Sequence, residues 1–385
     1  MLESANRAQP TPRARSDPAS NAMKVTAPSG APGPAGLPDP SSPPGLPDPS
    51  SPPDPSSPPD PPGPSGYPAL DVLCVGLACW DVLLTTEHAV QEDHKYRALD
   101  CHQSLGGPAA NAACLLARWG LRTALSARIS TDPLGAAILS ELREAGVDTS
   151  HLRRDAATTA LSCVLVNQAS GSRTLVNHRP EVVAAVPSES MTLNAGTPRA
   201  LLVDGHEPGL SHSALDRVPN AISVLDAGSY RAATDELAQR VDHAIVSSAF
   251  ATAATGEAPS PATLLALSKR YAARVAITLG PLGVLALDDE GRPLHLEPPQ
   301  VRAVDSTAAG DIFHGAFVWA QLSGRAYLPA LRLAMRAAAL SVTRPGGRAS
   351  IPVVGEALAF APQWWPGECL EKRSPSPPGR GLGNA

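Results

Sequence analysis

Val304-Asp305-Ser306-Thr307-Ala308-Ala309-Gly310-Asp311-Ile312-Phe313-His314-Gly315-Ala316-Phe317 brings small residues, a carboxylate and a helix start into one short stretch. Ala308, Ala309 and Gly310 have almost no side chain, so an anion can approach their backbone N–H groups at the mouth of the helix that follows. Such a mouth favours negative charge. Ile312, Phe313, Ala316, Phe317 and Ala320 fit helical spacing, which places Asp311 in the first turn, beside the anion. A carboxylate next to a phosphate-sized hole suits a general base for a hydroxyl that attacks phosphorus. On this stretch alone, the other reading is an Asp that only favours a helix N-terminus.

Asp305–Asp311 resembles the D-T-x-G-A-G-D signature of the ribokinase, or PfkB, family of carbohydrate kinases, with Ser306 for Thr and Ala308 for the first Gly. The second change is tolerable provided the backbone at Ala308 does not need a positive φ. The resemblance implies an α/β protein of the three-layer ribokinase-like fold, a mostly parallel sheet between helices, with a small β-sheet lid. It also implies that Asp311 is the catalytic base and that the amides of Ala308, Ala309 and Gly310 form the anion hole. ATP and Mg²⁺ are the implied cofactors.

Residues 1–66 are rich in Pro, Ser, Asp and Gly and repeat PDPSSPP, so they are expected to form a disordered tail or an over-long start. Residues 366–385 read as a second loose tail. Between them, residues 67–365 suffice for one kinase domain, with lid segments at about 86–105 and 160–180. The net charge of −5 argues against a nucleic-acid surface. No apolar run approaches the roughly 18 residues of a membrane span, and the N-terminus lacks a signal-peptide core. A cytoplasmic protein with no membrane partner is the expectation. The six cysteines contain no C-x-x-C pair and read as reduced, small hydrophobes.

Asp71–Leu77 reads as the first buried strand, followed by Asp81 where α/β proteins bind ligands. Polar, partly alternating Glu92–Ser104 reads as a half-exposed strand. Gly106-Gly107-Pro108-Ala109-Ala110-Asn111 then opens a helix that Gly120 stops. By the resemblance, Asp81, Gly107 and Asn111 hold sugar hydroxyls, joined by Asp204 after the strand Ala200–Val203. Taken alone, an Asp after a strand is more often a turn or cap residue, and a double Gly before a helix only a turn. Ser162–Val166 and Arg173–Asn177 read as two lid strands joined by a turn, Asn167–Ser172.

Ile222–Leu225, followed by Asp226, repeats the strand-then-Asp pattern, and Ala244–Val246 is the next strand. The family often continues there with N-x-x-E, whereas this chain has Ser247-Ser248-Ala249-Phe250, so direct acidic metal ligation is not expected at that point. Val275–Leu279 with Gly280-Pro281-Leu282-Gly283 resembles the family's nucleotide loop, which implies that Thr278, Gly280, Gly283 and Gly310 line the ATP cleft. A strand-to-hairpin turn is the structural alternative, because Val284–Leu287 and Pro293–Leu296 form a clear hairpin pattern. Ser341–Pro352 resembles the loop that, with the residues around Asp305, encloses a monovalent cation. Potassium would then be held near Asp305, Thr307, Ser341, Arg344, Gly346 and Ser350.

The motifs are most similar to sulfofructose kinase-like and ketohexokinase-like members, which implies a ketohexose-type acceptor. In the former, a Lys, an Asn and an Arg grip an anionic C6 group. Lys95 and Asn177 match the first two, but His206 stands where the Arg is expected, which implies a weaker grip. Lys95 can equally be a solvated charge. A nucleoside or ribose kinase of the same fold and a non-catalytic sugar-binding member are the rival readings. Homodimer pairing through lid strands is a further expectation of the resemblance.

Overall fold

The structure is a computed structural model and describes residues 70–170, 173–180 and 197–362. All of these fall within the unit Pro64–Ala385. The two expected tails, 1–66 and 366–385, lie outside the described residues.

In chain order the strands are β1 (Val72–Val75), β2 (Cys79–Thr86), β3 (Asp100–Gly106), β4 (Thr123–Ser126), β5 (Leu161–Asn167), β6 (Arg173–His178), β7 (Ala200–Val203), β8 (Ile222–Ala227), β9 (His243–Ser247), β10 (Arg274–Thr278), β11 (Val284–Leu287) and β12 (Pro293–Leu296). The helices are α1 (Pro108–Arg118), α2 (Pro133–Glu144), α3 (Pro208–Arg217), α4 (Ala232–Ala238), α5 (Ser248–Thr255), α6 (Pro261–Arg270), α7 (Ala309–Leu322), α8 (Tyr327–Ser341) and α9 (Val354–Ala359).

Successive residues of a strand point to opposite faces, and in β1 both faces are apolar. Val72 and Cys74 pack into the core shared with α1, α7 and α8, whereas Leu73 and Val75 pack into the core shared with α3, α4, α5 and α6. β7 repeats the arrangement, with Ala200 and Leu202 on one side and Leu201 and Val203 on the other. Strands buried on both faces must sit between two helix layers, and the chain accordingly forms three layers. The central sheet has the order β12-β11-β10-β9-β8-β7-β1-β4. Its strands from β10 to β4 are parallel, and the expected hairpin β11–β12 adds an antiparallel edge.

The lid is a separate four-stranded sheet of order β3-β2-β5-β6. Here the structure corrects two sequence expectations. Asp81 does not follow β1 on a loop but lies inside β2, on the lid. The expected strand over Glu92–Ser104 begins only at Asp100, and Lys95 belongs to an irregular stretch. Asp93 adopts φ 59 there, a left-handed conformation that interrupts an extended chain.

Strand register does what sequence spacing cannot show. Asp81 pairs with Ser104 of β3 and with Ser162 of β5, and Ser162 pairs with Asn177 of β6. Residues opposite one another across a sheet share a face, so Asp81, Ser162 and Asn177 form one polar row.

Candidate active site

The mouth of α7 is built on a strained residue. Ala308, its N-cap, takes φ 61 and ψ 7, so the position does need the positive φ that favours glycine. The condition under which the Gly-to-Ala change is expected to be tolerable is therefore not met. The next residues carry the helix's unpaired amides: the Ala309 N–H makes only a 3.3 Å bond to the Ser306 carbonyl. A Cβ added at Gly310 would meet nothing within 4 Å, so the helix mouth is open on the side where that side chain would stand. Behind them, Ile312, Phe313, Ala316, Phe317 and Ala320 are buried, as their helical spacing predicts.

Asp311 stands in the first turn and accepts a hydrogen bond from Asn111 Nδ2 at 2.7 Å. Because a carboxylate only accepts, the amide nitrogen of Asn111 must face it, which leaves Asn111 Oδ1 turned elsewhere. That oxygen is buried and has no partner. Burial pushes the Asp311 carboxyl up to about 7, reinforced by the neighbouring charge of Asp226, while the Asn111 bond and His314 act the other way.

His314, which the sequence reading did not single out, lies one turn further along α7. Its Nδ1 is 3.1 Å from Asp226 Oδ2 and 2.6 Å from the Gly310 carbonyl, and its Nε2 is 3.3 Å from the Ile245 carbonyl. Both ring nitrogens therefore face acceptors, which favours the doubly protonated ring. Burial alone would lower its pKa, but Asp226 and the Gly310 carbonyl raise it. A proton held on this ring would offset part of the repulsion between Asp226 and Asp311.

Asp204 is 2 % exposed. It accepts from the backbone N–H groups of Leu77 at 2.9 Å, Ala109 at 3.1 Å and His206 at 2.8 Å. It thus ties the end of β1 to the first turn of α1, and burial pushes its carboxyl up to about 6 despite those three bonds. A Cβ at Gly76 would come within 2.0 Å of Asp204 Oδ1, a requirement the sequence reading missed.

The double glycine has packing reasons of its own. A Cβ at Gly106 would lie 2.1 Å from Asp81 Oδ2, and one at Gly107, where φ is 102, would lie 2.3 Å from the Leu77 carbonyl. Asp81 is raised by burial, with Cys79 Sγ donating at 3.2 Å and the Arg179 charge both acting to lower it.

Asp81, Gly107, Ser162, Asn177 and Arg179 line one pocket between the lid and the start of α1. Asn177 accepts from Ser162 Oγ at 2.8 Å. Lys95 is exposed on the irregular stretch after β2 and is not among the residues lining this pocket. His206 receives two guanidinium contacts, from Arg179 and Arg231, neither of which the sequence reading named.

In the expected nucleotide loop, Thr278 ends β10 and its carbonyl accepts from Ser248 Oγ at 2.9 Å. Gly280 and Gly283 have φ 59 and 97. A side chain at Gly283 would strike the Leu296 carbonyl at 2.1 Å, so the hairpin packing by itself requires this glycine.

In the expected cation loop, Asp305 Oδ2 accepts from Gly346 N at 2.9 Å and Oδ1 from Thr307 N at 2.8 Å, which brings residues 341–350 beside Asp305. Ser341 and Ser350 spend their hydroxyls on the Ala338 and Gly347 carbonyls, each at 2.8 Å. The Arg344 side chain turns away to Glu356, at 2.8 Å. What this loop offers a cation is the Asp305 carboxylate and backbone oxygens, a donor set suited to a hard ion. Among the described residues, no group of three or more His, Cys, Asp or Glu side chains could hold a metal ion. No helix among them is long and apolar enough to cross a membrane.

The geometry belongs to a known class. The pfkB family carbohydrate kinase profile matches residues 69–354, and the chain is a member of that family, an ATP-dependent carbohydrate kinase in class. It is similar to the ribokinase of Haemophilus influenzae, 28 % identical over 273 residues that cover 66 % of this chain and 86 % of the relative. It is also similar to the ketohexokinase of Mus musculus, 26 % identical over 286 residues, with 69 % and 94 % covered. A solved ribokinase structure from Thermotoga maritima superposes with a TM-score of 0.65 at 25 % identity, covering 76 % of this chain and 99 % of that one.

Proposed function

We propose that this protein transfers the γ-phosphate of ATP to a hydroxyl of a ketohexose-type sugar. The observation that carries the reading is the Asn111–Asp311 pair: a carboxylate near 7 beside a buried oxygen, Asn111 Oδ1, that lacks a donor. A polyol supplies both needs, one hydroxyl giving its proton to Asp311 and another donating to Asn111.

In the mechanism, Asp311 accepts the proton of the attacking hydroxyl, the sugar oxygen bonds to the γ-phosphorus, and ADP leaves. The amides of Ala308, Ala309 and Gly310 face the charge that builds on the phosphoryl oxygens. Mg²⁺ bound with the nucleotide would supply neutralisation of the phosphate charge. Thr278, Gly280 and Gly283 bound the nucleotide cleft. Potassium at the Asp305 loop would fix the backbone that presents the anion hole. Asp81, Asn177, Gly107 and Asn111 hold the sugar, with Asp204 stiffening the bed beneath it. Lid closure excludes water from the phosphoryl group.

The ketohexose assignment is supported by the likeness to mouse ketohexokinase and by the resemblance of the sequence Val166–Thr174 to the corresponding phrase of ketohexokinases. Ribose is the second reading, favoured by the likeness to Haemophilus influenzae ribokinase. ATP consumption by the purified protein with fructose, tagatose, ribose and nucleosides decides between them. A ribose or nucleoside kcat/KM more than about tenfold above that of every ketohexose overturns the sugar assignment. No turnover on any sugar overturns the kinase reading. Homodimer pairing through the lid edges β3 and β6 belongs to the same proposal, and light scattering on the purified protein tests it.

A further inference from the structure

We propose that His314 and Asp226 form an ionised pair that positions the first turn of α7 and governs the protonation of Asp311. The role rests on the reading of Asp311 as the base of a sugar kinase. The pair itself rests on geometry.

His314 is 5 % exposed and Asp226 is 7 % exposed, so solvent stabilises neither charge. His314 Nδ1 lies 3.1 Å from Asp226 Oδ2 and 2.6 Å from the Gly310 carbonyl oxygen. Both of these atoms are acceptors, so Nδ1 carries a hydrogen. Nε2 lies 3.3 Å from a third acceptor, the Ile245 carbonyl. A neutral ring would set the Nε2 lone pair against that oxygen, whereas a protonated ring has a donor for each side. An imidazolium against a carboxylate, both out of water, is the arrangement in which each ion offsets the desolvation of the other.

The pair acts on the backbone that presents the base. A peptide unit is planar, so holding the Gly310 carbonyl also holds the Asp311 N–H at the other end of the same unit. That N–H is among the first amides of α7, which have no acceptor within the helix. Asp226 belongs to β8 of the central sheet, and His314 therefore fastens the mouth of α7 to that sheet. The Asp311 side chain is held separately, by Asn111 of α1.

The pair also sets the charge around the base. Asp226 and Asp204 raise the Asp311 carboxyl, and His314 lowers it. Cys79 of β2 in turn feels the Asp311 charge. The other titratable or charged groups on neighbouring elements are Cys114 and Arg118 of α1, His243 of β9, and Tyr327, Arg332 and Arg336 of α8. None of them is among the groups that act most strongly on Asp311 or His314. Asp226 without its counter-ion would hold Asp311 protonated at neutral pH, where it could accept nothing. His314 restrains that push.

The test follows Asp311 through its titration in wild type, in His314→Asn and in the double variant His314→Asn with Asp226→Asn. Asparagine places an amide donor near the position of Nδ1 but carries no charge. Removing the cation alone is expected to move the acid limb of kcat against pH upward by about half a unit or more, a loss of about threefold in turnover on that limb. Removing both charges is expected to return the limb to its wild-type position or below it. Residues that serve packing alone give no such return, because two substitutions then disturb the turn at least as much as one. An unmoved limb in His314→Asn, or a limb displaced as far upward in the double variant as in the single, overturns the pair. Should the lone Asp226 of His314→Asn prevent folding, nitrogen-15 spectra of the wild-type imidazole decide: two ring N–H resonances from His314 at neutral pH support the pair, and one overturns it. Carbon-13 spectra of the Asp311 carboxyl, assigned with Asp311→Asn, give the same titration without turnover. If no sugar is phosphorylated, the kinase reading falls; the expected shifts in these spectra then leave the pair standing, and their absence overturns it as well.

Discussion

Asn111 Nδ2 donates to Asp311 Oδ2 over 2.7 Å across 200 residues of chain, joining the first turn of α1 to the first turn of α7. The bond orients the carboxylate and holds part of its charge, but burial beside Asp226 still keeps its pKa at about 7. The group is thus half ionised near neutrality, which suits a base that must take a proton and release it each cycle.

Asp311→Asn removes the base while keeping an acceptor oxygen for Asn111. Turnover is expected to fall by at least about a hundredfold, with sugar and ATP affinities within a few fold of wild type. Steady-state kinetics and calorimetry check this. Near wild-type turnover in a folded variant would remove Asp311 from the mechanism.

The same substitution has a pH signature in stability. A carboxyl whose folded pKa is raised from 3.8 to about 7 favours the folded state in its protonated form, and that contribution is lost as pH rises through 7. The melting temperature of Asp311→Asn relative to wild type is therefore expected to be lower at pH 4 than at pH 8, with the difference between the two proteins shifting across that window. Activity runs the opposite way, kcat rising with pH through about 7 in wild type. A pH-independent difference in melting temperature would show that Asp311 is not a buried, raised carboxyl.

Gly310→Ala separates a binding surface from a helix position. An added Cβ meets nothing within 4 Å, and alanine is the better helix former, so stability is expected to rise by up to about 1 kcal/mol. The methyl would stand where the phosphoryl group is proposed to lie, so kcat/KM for ATP is expected to drop by about tenfold or more. Unchanged kinetics with raised stability would mean that no ligand approaches this backbone.

Ala308→Gly relieves the left-handed backbone at φ 61. The expected gain is roughly 1 kcal/mol, read from denaturant midpoints, with kcat nearly unchanged. A loss of stability would show that the Ala308 methyl, 3.5 Å from a Cβ placed at Gly347, contributes more by packing than the strain costs.

The sequence by itself determined the three-layer frame and the catalytic stretch, because both are written locally. Strand cores such as Leu73–Val75 and Leu201–Val203 carry apolar residues on both faces, and Asp305–Asp311 keeps its chemistry within one turn of backbone. Tertiary structure alone decided what is shared between distant segments. Register across β2, β5 and β6 aligned Asp81, Ser162 and Asn177, and chain folding brought His314 to Asp226. It also set Arg179 and Arg231 on one His206 nitrogen. The strain at Ala308 is of the same kind: the residue type is legible, but its φ is imposed by the turn that must deliver Asp311 to the site. Spacing along a chain encodes periodicity, whereas proximity between charges from separate elements depends on how those elements pack.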